Sequence, residues 1–146
     1  MRRKAKDPTM RLLVLAGALC LSAGPALAES AARPSKTLCD AKKLGARELA
    51  DCLRSGADRA DVELRAAVEA ALKSIDSRQG ILSSQKARWR RALNEAQEQW
   101  TTWRDSECQD VAPFEAGMAA KGGDPRLGCI IDYDAERTAS LKARDP

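Results

Sequence analysis

The sequence predicts an all-α protein, a small helical hairpin or bundle stapled by two disulfides. Three observations carry that expectation. No segment alternates apolar and polar residues in the manner of a strand. Residues 81–110 contain neither Gly nor Pro and repeat their apolar positions with helical spacing. Four cysteines, Cys39, Cys52, Cys108 and Cys129, remain once an N-terminal export segment is set aside, an even number in a small chain.

That export segment is expected over residues 1–28. MRRKAKDPTMR is basic, LLVLAGALCLSAG is apolar, and Ala26-Leu27-Ala28 supplies the small-x-small pattern before Glu29. The apolar run is shorter than the roughly 20 residues of a membrane span. Met10 is as suitable a start as Met1, because Arg11 onward is a complete if compact signal. Cys20 is expected to be discarded with the signal, not lipidated, since Leu19 before it is not small. A periplasmic or secreted location follows.

Cleavage there changes the charge. Residues 1–28 hold five basic and one acidic residue, and subtracting them from 25 and 21 leaves 20 of each sign. The basic character belongs to the signal, so nucleic-acid binding is not expected. Of the three possible pairings of the four cysteines, the local ones, Cys39–Cys52 and Cys108–Cys129, are preferred. Each closes a segment with Gly or Pro turn signals. Zinc is not expected: the cysteine spacings are 13, 56 and 21, and the chain has no histidine.

The elements follow in order. Residues 29–37 are small and polar, and read as a flexible lead-in to a domain over 38–146. A short helix is expected from about Ala46 to Arg54, stopped by Ser55-Gly56. Asp58 is then expected to cap a second helix, in which Leu64, Val68, Ala71 and Ile75 form one stripe. Asp76 to Gly80 ends it. Residues 81–110 form a long amphipathic helix, with Leu82, Trp89, Ala96 and Trp103 as its seven-residue seam and Leu93 and Trp100 beside it. Pro113 is expected to close that helix. A Gly-rich loop over 112–128 leads to a last helix marked by Ile130, Tyr133, Arg137 and Leu141.

The chemistry available is narrow. Histidine usually supplies the base of a hydrolytic triad, and there is none. Oxidised cysteines are no nucleophiles, and no strand precedes a Gly-rich phosphate loop. A non-enzymatic protein without cofactor or metal is expected. Charge is unevenly spread: residues 29–94 hold 14 basic and 9 acidic residues, and residues 95–136 hold 3 basic and 10 acidic. The second segment carries a field able to attract a basic partner.

One stretch concentrates side chains of note. In QEQWTTWRDSEC, Trp100 and Arg104 are four apart and share a helical face, a spacing that Tyr133 and Arg137 repeat. Trp100 and Trp103 are expected to face inward.

Gln97, Trp100, Arg104 and Cys108 make a Q-x-x-W-x-x-x-R-x-x-x-C pattern, followed by Gly122-Gly123, Cys129, Tyr133, Arg137 and Leu141. This resembles the lysozyme inhibitor LprI-like family of small exported bacterial proteins. The likeness extends upstream to Cys39, Cys52 and Ala57-Asp58. It departs from the family at Asp124, where Ser is usual, at Asp134, where Thr is usual, and in lacking a Tyr over residues 62–75. The matched residues read as structural. The resemblance implies an exported binding protein that inhibits a lysozyme, whose cationic surface the acidic segment would meet. The alternative is a periplasmic structural or interaction module with another envelope protein as partner. A partner surface is expected at Asp105, Glu107, Gly122, Gly123 and Asp124.

Overall fold

In a computed structural model, residues 33–117 and 123–144 are described. The expected signal peptide, residues 29–32 of the lead-in and Gly122 lie outside them, while residues 34–37, expected as flexible lead-in, are helical. The described chain is built of helices joined by turns: α1 spans Pro34–Leu38, α2 Ala46–Ser77, α3 Ser83–Ser106, α4 Ala112–Ala116 and α5 Pro125–Lys142. A single π-helical segment, Glu107–Val111, joins α3 to α4. No strand occurs among the described residues.

The main departure from expectation is α2. It is one helix of 32 residues, not two, and rises about 48 Å at 1.5 Å per residue. Gly56 lies inside it. A mid-helix glycine costs roughly 0.5–1 kcal/mol in backbone entropy, yet here it is buried and serves packing. A Cβ at Gly56 would sit 2.9 Å from Leu38 Cδ2 and 3.0 Å from Ile131 Cδ1. The missing side chain lets α1 and α5 close on α2 at one point. Asp58, more than three turns inside the helix, is exposed and caps nothing. The helix begins instead at Gly45, whose N–H donates to Glu48 Oε2 at 3.0 Å.

The turn into α3 is held from both sides. Gly80 adopts φ 74°, the left-handed conformation that glycine takes cheaply. Arg90 pairs with Asp76, and Lys86 Nζ donates to the Asp76 carbonyl at 2.6 Å. The Arg78 guanidinium lies 5.3 Å over the Trp89 ring. Gln85 Oε1 accepts from the Leu82 N–H at 3.3 Å.

The buried line of α3 also differs from the expected seam. Leu82 is 68% exposed, Trp89 42% and Trp103 45%. Inward positions are Leu93, Gln97, Trp100, Arg104 and Cys108, spaced four, three, four and four. That interval averages close to the 3.6-residue turn, whereas a strict seven-residue repeat drifts off a straight helix. Pro113 does not close the helix. The π-helical segment carries the chain past it, and Pro113 sits in the first turn of α4, where its missing N–H costs nothing.

Two apolar clusters form the core. Cys39, Leu49, Leu53, Ala57 and Ile131 make one, beside the Cys39–Cys52 disulfide. Leu64, Ala67, Ile75, Leu93 and Leu141 make the other, with Val68, Ala71 and Trp100 packed on it. Helix α2 runs through both and packs most extensively on α5. Along both helices the clusters are separated by acidic positions, Asp61 on α2 and Asp134 on α5. Asp124 caps α5 by accepting from the Arg126 N–H at 3.0 Å, and Pro125 fills its first position. Among the described residues no helix is long and apolar enough to cross a membrane.

Candidate functional site

The residues of the Q-x-x-W-x-x-x-R-x-x-x-C pattern converge between α3 and α5. Arg104, largely buried, donates from Nη1 to Asp134 Oδ1 at 2.6 Å. It also donates to Asp105 Oδ1, from Nε at 3.0 Å and Nη2 at 2.7 Å, and Asp61 Oδ1 stands 3.9 Å from Nη1. One guanidinium thus meets a carboxylate from each of the three long helices. Burial opposes its charge, but these hydrogen bonds hold the Arg104 pKa above its ordinary value.

Trp100 lies between two cations. Arg104 is 5.6 Å from its ring centroid and Arg137 is 5.5 Å. Arg137 donates from Nε to Gln97 Oε1 at 3.0 Å. Burial and the nearby Arg144 lower the Arg137 pKa, a guanidinium that nonetheless stays charged. Leu141 is buried in the second apolar cluster. One turn beyond Arg104, Cys108 is buried and bonded to Cys129, which fixes α5 against the end of α3. These motif residues therefore share one packed interior.

Asp134 is the most unusual group. It is completely buried, and its Oδ2 and the hydroxyl of Thr138 have no hydrogen-bond partner among the described residues. Burial raises the Asp134 pKa above the ordinary carboxylate value. Arg104 opposes the rise, and the carboxylates of Asp61 and Asp105 add to it.

The expected partner-facing residues fall in different settings. Asp105 is exposed while its Oδ1 engages Arg104. Glu107 is half-buried in the π-helical segment. Gly123 adopts φ 82° against α2, where a Cβ would come within 2.5 Å of Leu53 Cδ1. Asp124 caps α5 and also pairs with the Arg126 side chain at 3.1 Å. Gly122 lies outside the described residues.

Trp103 does not face inward as expected. Its ring meets Tyr133 edge-on, with centroids 4.9 Å apart and planes at 66°, and its outer side is exposed. Beyond it, Val111 is 38% exposed and Phe114, the chain's single phenylalanine, 86%. Sequence reasoning missed these two. The available signal was an aromatic residue placed outside every helical stripe, between Pro113 and Gly117.

The acidic residues of 95–136 divide by environment. Asp132 accepts from the Ser35 N–H at 2.7 Å and from its hydroxyl at 3.0 Å, tying down α1. Asp134 is engaged inside and Asp124 at its cap. Glu95, Glu98, Asp105, Asp110, Glu115 and Glu136 are exposed. Of the described cations in that segment, Arg104 is buried and Arg126 is paired with Asp124. Among the described residues no group of three His, Cys, Asp or Glu is placed to hold a metal ion.

The family model named lysozyme inhibitor LprI matches residues 39–141. The chain belongs to the LprI family. The match begins at Cys39 and ends at Leu141, so it takes in both disulfides and the whole Trp100–Arg104–Asp134 interior. An uncharacterized protein of Rhizobium meliloti is similar, 32% identical over 108 residues, covering 69% of this chain and 74% of that protein. No solved structure matches the chain significantly. This LprI-family chain is all-α among the described residues and is held by Cys39–Cys52 and Cys108–Cys129.

Proposed function

We propose that this protein is exported by the signal peptide at residues 1–28 and acts in the periplasm or outside the cell as a lysozyme inhibitor. It works by binding and not by catalysis. The observation that carries this reading is the exposed acidic end of the bundle. Glu98, Asp105, Asp110 and Glu115 are exposed around the end of α3 and α4, while the described cations of the segment are buried or paired. C-type lysozymes are cationic, and such a surface complements them. Family membership supports the same reading.

With the signal removed the chain carries 20 residues of each sign, so the attraction is local. Its reach is about 8 Å at physiological ionic strength. Charge then raises the association rate, while apolar contact sets the lifetime of the complex.

A turbidity assay tests the proposal. The oxidised protein is added at micromolar concentration to a c-type lysozyme acting on peptidoglycan. Slowed clearing, with relief as salt is raised, is expected. Clearing at the uninhibited rate refutes inhibition.

A further inference from the structure

We propose that Phe114, flanked by Val111 and Trp103, is the apolar anchor that seats this protein on a cationic lysozyme. The inference rests on the inhibitor reading and adds to it the surface and the mode of contact.

The anchor has the form of a presented side chain. Phe114 is 86% exposed, and Val111 and Trp103, on the turns that precede it, are exposed as well. Trp103, Glu107, Val111 and Phe114 are spaced four, four and three, so they recur about once per turn. Buried Cys108 and its bond to Cys129 hold the opposite side of this segment to α5. The contact of Trp103 with Tyr133 holds a second point. Gly117, at φ 67°, ends α4 just after Phe114. The rings are therefore mounted on braced helix, which lowers the entropy lost on binding.

The surroundings choose the occupant. Glu107, Asp110 and Glu115 lie within seven residues of Phe114, with no basic residue from Asp105 through Gly117. A second copy of this chain would bring the same carboxylates face to face. Anionic lipid headgroups and nucleic acid would meet the same repulsion. A cationic protein with an apolar socket satisfies both the ring and its rim, the usual arrangement of a buried aromatic hot spot inside a polar border.

Binding of the oxidised protein to an immobilised c-type lysozyme tests this, with melting temperature and sedimentation followed in parallel. Phe114→Ser should raise Kd roughly thirty-fold, mainly through faster dissociation, with unchanged melting. Val111→Ser should raise it about threefold in the same way. Asp110→Asn with Glu115→Gln should slow association and flatten its salt dependence. Wild-type binding that survives Phe114→Ser unchanged overturns the anchor and leaves the inhibitor reading standing. Absence of wild-type binding overturns both. A wild-type dimer dispersed by Phe114→Ser, with lysozyme affinity intact, assigns the patch to self-association and overturns the anchor.

Discussion

Arg104 on α3 donates to Asp134 on α5 at 2.6 Å, joining residues thirty apart in sequence inside the protein. The pair sits between two apolar clusters and fixes the register of the two helices. Removing one partner leaves the other charged and buried, which typically costs about 3–5 kcal/mol. Arg104→Met is therefore expected to lower unfolding free energy by about that amount. Replacing both, as Arg104→Met with Asp134→Leu, should recover most of it, because no orphaned charge remains. Urea denaturation of the two single variants and the double variant measures the coupling. A double variant as unstable as the sum of the singles would argue against it.

Asp134 predicts a pH response of unusual sign. Its pKa in the folded protein lies above 3.8, chiefly through burial. The folded state then holds the proton more tightly than the unfolded state. Its favourable contribution is complete below the unfolded pKa and is lost as pH rises through the folded one. Relative to Asp134→Asn, the wild type should gain stability as pH falls through that midpoint. Asp124 behaves oppositely: its hydrogen bond from the Arg126 side chain lowers its pKa, so its contribution is lost as pH falls. Carboxyl NMR titration should find Asp134 above 3.8 and Asp124 below. An Asp134 midpoint at or below 3.8 contradicts the burial account.

The two neighbouring tryptophans should separate in stability. Trp100 packs on the second apolar cluster between Arg104 and Arg137. Trp100→Ala is expected to cost about 3 kcal/mol, the low end for a tryptophan, since its ring is only partly buried. Trp103 loses mainly its edge contact with Tyr133, so Trp103→Ala should cost about 1 kcal/mol. Equal melting shifts for the two would mean that Trp103 is also a core residue.

Gly80 and Gly123 share a left-handed backbone but differ in space. At Gly80, φ is 74° and an added Cβ would meet nothing within 4 Å. Gly80→Ala should cost about 1–2 kcal/mol, the backbone strain alone. At Gly123 the Cβ would also collide with Leu53 and Leu49, at 2.5 and 3.2 Å. Gly123→Ala should cost about 1 kcal/mol more, through overpacking. Thermal melts of both variants check the ranking, and the reverse order would remove Gly123 from the core.

The disulfide from Cys108 to Cys129 closes a separation of 21 residues. Replacing both cysteines by serine should cost about 2–4 kcal/mol, in the usual unfolded-state model. Because that bond braces the segment carrying Phe114, the variant should also lose lysozyme affinity beyond its loss of stability. Denaturation and binding on the same sample distinguish the two effects.

The helical class, the presence of two disulfides and the existence of α3 and α5 follow from local signals: periodic apolar positions, even cysteine count, and an absence of strand alternation, while turn signals favour the local cysteine pairs among three possible pairings. Gly56 misled, because a glycine reads the same whether it stops a helix or admits a neighbour. The neighbours were Leu38 and Ile131, the latter 75 residues away. The heptad line through Trp89 and Trp103 misled because repeat spacing marks a stripe without saying which side has a partner.

The candidate surface was partly visible as an excess of acidic residues over 95–136. Which of them face outward was not. Asp132, Asp134 and Glu115 are alike in sequence, yet one ties down α1, one is buried against Arg104, and one is exposed. The sequence by itself determined helix class, covalent staples and the sign of charge on each segment, since these depend on composition and near-neighbour spacing. Only the tertiary structure decided which glycine packs, which tryptophan is buried, which carboxylate is paired and that Phe114 stands in solvent. Each of those depends on contacts between residues far apart in the chain.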